Sequence, residues 1–381
     1  MRRFAMRGGL GICTLLSFAL LVASGWSWYN FADLKRNAHV IDIKGIGGET
    51  SHGGHAGGTA QNILIVGIDS RAGLSAAQRR YLKVGNDPHA FATDTIMLVH
   101  VPADGSKATL ISIPRDSWVH IPRHPDAKIN AAYADGYYYE GAQGTKAQEE
   151  AGASTLVATV KQLTGAPIDH FVQVGFGGFE QIVKAIGTIP ITLCHTVDDT
   201  RAYNVAHGQS GGSGFKMLAG HHDLTPREAL EFVRQRHNIP GRISDDLGRE
   251  LRQRYFLSAA FKQILSAGTL LNPITLRDLV KAVDGAFTFD SHNFDITKFA
   301  EQMINLSAGN IVGRSIPDGG PIHIDDQDAL KVDPAQVQRI VAQAFSSKPA
   351  GTTSSAPHRS RSARSTSTAG LSSPAKQSCV N

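Results

Sequence analysis

Apolar positions divide the chain into three regions: an uninterrupted apolar run near the N-terminus, a long body, and a C-terminal stretch nearly free of large apolar residues. In the body, NILIVGID (62–69) has the pattern of a buried strand closed by Asp69. DTIMLVHV (94–101) and ATLISI (108–113) are two further runs, joined by the Gly-containing PADGSK, and predict a β-hairpin. Apolar residues at 156, 157, 160 and 163 predict a helix over 152–165 with Gly165 as its stop. HFVQV, GGFEQIVKAIG and IPITL follow as strand, helix and strand, the order of a βαβ unit. TPREALEFV (225–233) opens with a capping box: Thr225 as N-cap, Pro226 in the first turn and Glu228 three residues on. QRYFLSAAFKQIL, TLRDLVKAV and ITKFAEQMINL have amphipathic helical spacing. The expected fold over 61–346 is mixed α/β, with a central, mostly mixed or antiparallel sheet flanked by helices.

The flanks read differently. No residue from Gly8 to Phe31 is charged, and about 20 apolar residues suffice to cross a bilayer as helix. Arg2, Arg3 and Arg7 precede the run, and Trp26, Trp28 and Tyr29 close it. The expectation is a cytoplasmic stub and transmembrane anchor over 1–31, with the rest of the chain outside the cell. A cleaved signal peptide ending near VASG is the competing reading. Residues 32–60 read as a Gly-rich linker, in which His52 and His55 belong to a tether rather than a metal site. Residues 347–381 are basic and rich in Ser, Thr, Ala and Pro, the composition of a disordered tail. Cys13, Cys194 and Cys379 fall in the apolar run, the body and the tail, so no disulfide framework is expected.

Charge narrows the function classes. The net charge is +5, but the tail contributes five cations and no acid, and the first seven residues add three arginines; without both, the body carries −3. It is not a polycation and has no helix-turn-helix pattern, which argues against nucleic acid as a partner and against a transcriptional regulator.

Hairpin geometry gathers chemistry-bearing residues. The start of one antiparallel strand lies beside the end of its partner, so Asp94 and Arg115 should share one end of the sheet. If NILIVGID runs parallel to ATLISI, Asp69 and Arg71 reach the same rim. Two carboxylates and two guanidiniums at one edge suit a metal-bound phosphate ester: Mg²⁺ (or Mn²⁺) takes a few carboxylate and phosphate oxygens, and arginine forks match phosphate bidentately. Arg234 and Arg236 are two apart, so an extended RQR would point both at one site; the capped helix is therefore expected to end near Val233. DDLGRELRQRYFL resumes as helix, with Asp246, Arg249 and Gln253 on one face. Asp246 and Asp116 are the candidate general bases, and His237 reads as a packing residue.

NILIVGIDSR, TDTIMLVHV, ISIPRDSWV, KINAAYADG, VGFGGFEQIVKAIGTIPI and LTPREALEFVRQRH…DDLGRELRQRYFL occur in that order. Together they resemble the LytR–CpsA–Psr family of bacterial cell-envelope proteins over about 61–265. The resemblance implies a phosphotransferase outside the cytoplasmic membrane that moves a glycopolymer from a polyprenyl diphosphate carrier onto peptidoglycan through a phosphodiester link. A polyprenyl pyrophosphatase or a non-catalytic polyprenyl-phosphate binder would use the same clamp. By resemblance, Asp69 and Asp94 are the magnesium-associated aspartates, Arg115 the arginine of the PRD motif and Lys128 the basic residue of KINAAY. Arg234 and Arg236 match the pair that grips pyrophosphate, and Asp246, Arg249 and Gln253 match its D…GR…RQ segment. The chain departs from the family at Leu251 and Arg254, where glutamines are frequent. An apolar pocket for the lipid is also implied, with residues 156–193 as possible lining.

Overall fold

Long runs of β-branched and aliphatic residues without Pro favour extended backbone that packs on both faces, and they form the centre of the molecule. The computed structural model describes residues 39–47, 60–70, 74–82, 91–103, 108–200, 212–235, 245–264, 287–290, 311–346 and 379–380. Along the chain lie β1 (His39–Ile41), β2 (Gln61–Ile68), α1 (Ala76–Tyr81), β3 (Thr93–Val101), β4 (Ala108–Ile113), β5 (Ser117–Val119) and β6 (Ala127–Lys128). Next come α2 (Ala132–Tyr139), α3 (Thr145–Thr164), β7 (His170–Val174), α4 (Phe176–Ile186), β8 (Ile189–Leu193), β9 (Val197–Asp198), β10 (Lys216–Met217) and β11 (Gly220–Leu224). Then follow α5 (Pro226–Arg234), α6 (Asp245–Ile264), β12 (Phe287–Asp290), β13 (Ile311–Ser315), β14 (Pro321–Ile324), β15 (Gln327–Lys331) and α7 (Pro334–Ser346).

Seven strands make one mixed sheet in the order β1-β12-β7-β2-β3-β4-β13. Alternation along each strand sends side chains to opposite faces. Leu64, Val66, Ile96, Leu98, Ile111 and Ile113 line one face, closed by Leu156, Val157 and Val160 of α3 and Val337 and Val341 of α7. Ile63, Val99, Val101, Leu110 and Val172 line the other, against Leu257 of α6. Each such side chain fully buried contributes about 1.5–3 kcal/mol. A second core joins α4, β8, β11, α5 and α6 through Ile186, Ile191, Phe232 and Phe256.

The expected mixed sheet with helices on both faces is present, and β3 and β4 form the expected hairpin, Ile96 opposite Ile113. Gly165, at φ 67°, caps α3 in the left-handed conformation, where glycine carries no Cβ penalty.

Four expectations are corrected. The strand–helix–strand order of 170–193 is right, but β8 leaves the sheet and pairs antiparallel with β11, so no βαβ unit forms. Fully buried Ile41 and Ile43 belong to the main core, and β1 pairs with β12, so the folded unit begins before the Gly-rich stretch. Cys194 and Cys379 form a disulfide across 185 residues. The end of the tail is thus part of the fold: Val380 N donates to Thr192 O at 2.8 Å, Cys194 N donates to Val380 O at 3.1 Å, and Val380 is fully buried. Leu156, Val157, Val160 and Leu163 lie in the closed core and do not line an open pocket. The anchor at 1–31, most of the tail, and the helices expected from TLRDLVKAV and ITKFAEQMINL lie outside the described residues. Among the described residues, no helix is long and apolar enough to cross a membrane.

Candidate active site

Strand directions bring the chemistry to one edge. β2 and β4 are both antiparallel to β3, and β7 is parallel to β2. The ends of β2, β4 and β7 and the start of β3 therefore share a rim. There the β2–β3 register slips: Gly67 faces Thr95 and Ile68 faces Thr93, leaving Asp94 as the extra residue of a bulge. Bulges re-aim a side chain and recur beside active sites. A Cβ on Gly67 would stand 3.0 Å from Thr95 Cβ, so the missing side chain permits the close approach of the two strands.

At this rim Arg115 Nη1 donates to Asp94 Oδ1 at 2.7 Å, and its Nε donates to Asp116 Oδ2 at 3.2 Å. Lys128 Nζ lies 3.3 Å from Asp116 Oδ1. Asp116 is thus shared between two cations, which fixes both heads, whereas Asp94 is the most open member at 36 % side-chain exposure. The backbone reinforces the arrangement: Asn130 N donates to Arg115 O at 3.1 Å, and Thr93 Oγ1 donates to Asn130 O at 3.3 Å. Asp69 joins the rim through its N–H, which donates to Ala92 O at 3.1 Å.

A second bank comes from α5. Its capping box is formed as expected: the Thr225 hydroxyl accepts from Glu228 N, and Glu228 Oε2 accepts from Thr225 N. At the other end the helix stops close to the expected Val233: Arg234 is its last residue, and Gln235 leaves it at φ −57° and ψ 132°, so Arg234 itself is helical rather than extended. Arg234 Nη1 donates to Leu82 O at 3.2 Å, and its guanidinium lies 5.5 Å from the Phe176 ring centroid. Phe176 follows Gly175, where an added Cβ would stand 3.5 Å from the Ser70 carbonyl oxygen. Arg234 is therefore linked through Phe176 and Gly175 to Ser70, which follows Asp69.

From α6, Gln253 Nε2 donates to Val233 O at 3.4 Å, and Arg249 is buried. Arg252, fully buried, donates through Nη2 to Gln235 O. The carbonyls at a helix C-terminus carry partial negative charge, so these contacts tie α6 to the turn that delivers Arg234. Sequence reasoning missed Arg252; its one signal was four-residue spacing with Phe256 and Ala260, both buried. The bridging position of Asp116 was also missed. Arg71, Arg236 and the side chain of Asp246 lie outside the described residues.

Among the described residues, no group of three His, Cys, Asp or Glu side chains could hold a metal ion. Asp69 and Asp94, the two carboxylates expected to associate with magnesium, lie on adjacent strand ends.

With this geometry in hand, the relatives are informative. The LytR_cpsA_psr family profile matches residues 32–345, and the chain belongs to the LytR–CpsA–Psr family. It is 35 % identical over 288 residues to the cell wall biosynthesis protein LcpA of Corynebacterium glutamicum, covering 71 % of this chain and 52 % of that one. It is 28 % identical over 255 residues to the polyisoprenyl-teichoic acid–peptidoglycan teichoic acid transferase TagU of Oceanobacillus iheyensis, covering 67 % of each. The structure of a LytR-Csp2A-Psr enzyme from Actinomyces oris superposes with a TM-score of 0.54 at 19 % identity, over 82 % of this chain and 97 % of that one, a likeness of fold. The chain spans about half the length of its corynebacterial relative.

Proposed function

We propose that this chain is a membrane-anchored, extracytoplasmic phosphotransferase. It moves a glycopolymer from a polyprenyl diphosphate carrier onto a peptidoglycan hydroxyl, as part of cell-wall assembly. The observation that carries the reading is the Asp94–Arg115–Asp116–Lys128 network on a rim shared with Asp69. The names of the family relatives support the reaction class. The disulfide supports an oxidising compartment, where such bonds persist.

In the proposed reaction the acceptor oxygen bonds to the sugar-proximal phosphorus of the diphosphate. The bond from that phosphorus to the bridging oxygen breaks, polyprenyl phosphate leaves, and the hydroxyl proton passes to a base. Arg115 and Lys128 are fixed where negative charge grows on phosphoryl oxygens, so they require little reorganisation during the step. Arg234 and Arg236 grip the second phosphate, with Arg71, Arg249 and Gln253 supporting the headgroup. Asp69 and Asp94 would hold a magnesium ion, which supplies further charge neutralisation when bound. Asp116, engaged on both oxygens by cations, is a positioning residue, which leaves Asp246 as the base. The apolar sheet face bearing partly buried Ile65, Val174 and Phe289, with Leu257 of α6 against it, offers a seat for the prenyl chain.

The test uses the full chain with a radiolabelled polyprenyl diphosphate glycan and purified peptidoglycan. Label on insoluble peptidoglycan, lost in Arg115→Ala, is the expected result. Label released to solution identifies a pyrophosphatase, and retention on unconverted lipid identifies a binder; either overturns the transferase reading.

A further inference from the structure

Helix α2 reads AYADGYYY, and its tyrosines divide sharply in environment. Tyr133 and Tyr137 are buried, whereas Tyr138 and Tyr139 are 45 % and 75 % exposed. The exposed rings have a firm backing. Tyr137 stacks on Phe91 at 4.3 Å between centroids, and Tyr138 meets Tyr137 edge-on at 5.0 Å and lies 5.9 Å from Phe91. Tyr139 lies 6.4 Å from Tyr138.

This file of rings starts at the rim. Phe91 precedes Ala92, whose carbonyl holds the N–H of Asp69. The other end of the same support is Asn130, bonded to the Arg115 carbonyl just before α2 begins. Seven residue steps from Ala132 to Tyr139 span about 10 Å of helix. The exposed rings thus lie on the helix that follows directly from the rim residue Asn130.

Their surroundings carry acid rather than excess cation. Asp135 precedes Tyr138 and Tyr139 by three and four positions and so shares their face. Glu140 follows, paired with Arg123 at 2.8 Å and with His124 at 3.1 Å. Glu140 is neutralised by Arg123, so this border offers no excess cation to hold a polyphosphate chain. An uncharged pyranose, by contrast, lays its C–H face on an aromatic ring and turns hydroxyl donors toward a carboxyl acceptor.

We propose that Tyr138 and Tyr139, backed by Phe91 and Tyr137 and bordered by Asp135, form a sugar-stacking subsite for the glycan strand of the peptidoglycan acceptor. The inference rests on the transferase reading and extends it to acceptor recognition.

The test compares the full-length wild type with the double variants Tyr138→Ala/Tyr139→Ala and Tyr138→Phe/Tyr139→Phe. Each is cosedimented with purified sacculi stripped of attached polymer, and each is titrated with those sacculi in the transfer assay. Losing both rings is expected to raise the dissociation constant for sacculi, and the acceptor KM with it, by about tenfold or more. The donor KM should not follow, and the Phe pair should retain binding because stacking persists. Wild-type affinity in the Ala pair, or weakening confined to the donor polymer, overturns the subsite. Wild-type protein that binds sacculi through these rings but transfers nothing upholds the subsite and rejects the transferase reading instead.

Discussion

The disulfide offers the most quantitative test of how the fold holds together. Replacing Cys194 and Cys379 by Ser removes a covalent link that closes a loop of 185 residues. In the chain-entropy account, a loop of that length lowers the entropy of the unfolded state by ~18 cal/mol/K, worth about 5 kcal/mol at 25 °C. With roughly 220 residues in the described fold, the entropy of unfolding is ~0.46 kcal/mol/K, so that loss lowers Tm by about 11 °C. A second contribution is separable. Val380 is fully buried against β8, and truncation after residue 377 removes that burial as well, a further ~1.5–3 kcal/mol. Scanning calorimetry of the wild type, the double Ser variant, the truncation and the reduced wild type resolves the two. The reduced wild type should melt with the Ser variant and the truncation below both. A fall of under 2 °C in the Ser variant would refute the reasoning, because the tail end would then be docked without constraining the chain.

Other outcomes follow from single sites. Arg115→Ala should lower transfer by about 10²–10³-fold, as loss of one preorganised charge contact does elsewhere, with Tm nearly unchanged; radiolabel transfer measures it. Gly136→Ala should destabilise the protein by about 1–3 kcal/mol in a urea titration, because its Cβ would stand 2.5 Å from Thr155 Oγ1 and 2.7 Å from the Ala151 carbonyl oxygen. Burial holds the His100 imidazole below its ordinary value of 6.5, beside Asn62 Oδ1 at 2.8 Å and stacked on Phe345. As pH falls below 6.5 the unfolded chain takes up this proton first, so stability is lost from there down through the folded-state value. Urea midpoints between pH 7.5 and 5 should therefore fall less steeply in His100→Gln than in the wild type.

The rim was legible because its logic is local. Asp94 and Arg115 flank a hairpin whose two strands are adjacent in sequence, and antiparallel pairing alone puts them together. The capping box at Thr225 was legible for the same reason, since three residues of sequence contain it. Partnerships decided by distant chain were not. β8 follows a helix that packs as expected, yet its pairing with β11 depends on a segment some 30 residues further on. Cys194 and Cys379 carry no local sign of each other. Arg252 read as one more charged helix residue, and only the third dimension reveals that it is buried against the end of α5. The one further residue of helix at Arg234 reflects the Leu82 carbonyl and Phe176 ring that its side chain meets, both remote in sequence.

The separation of the rim from the β3–β4 connection has a practical consequence. The candidate site's side chains sit where strands begin and end, whereas Val101 and Ala108, which bound the β3–β4 connection, lie at the opposite margin of the sheet. A peptide tag or fluorophore grafted into that link should leave the register at Asp94 and Arg115 intact. A single residue added between Ile113 and Arg115 would rotate the guanidinium away from its carboxylates.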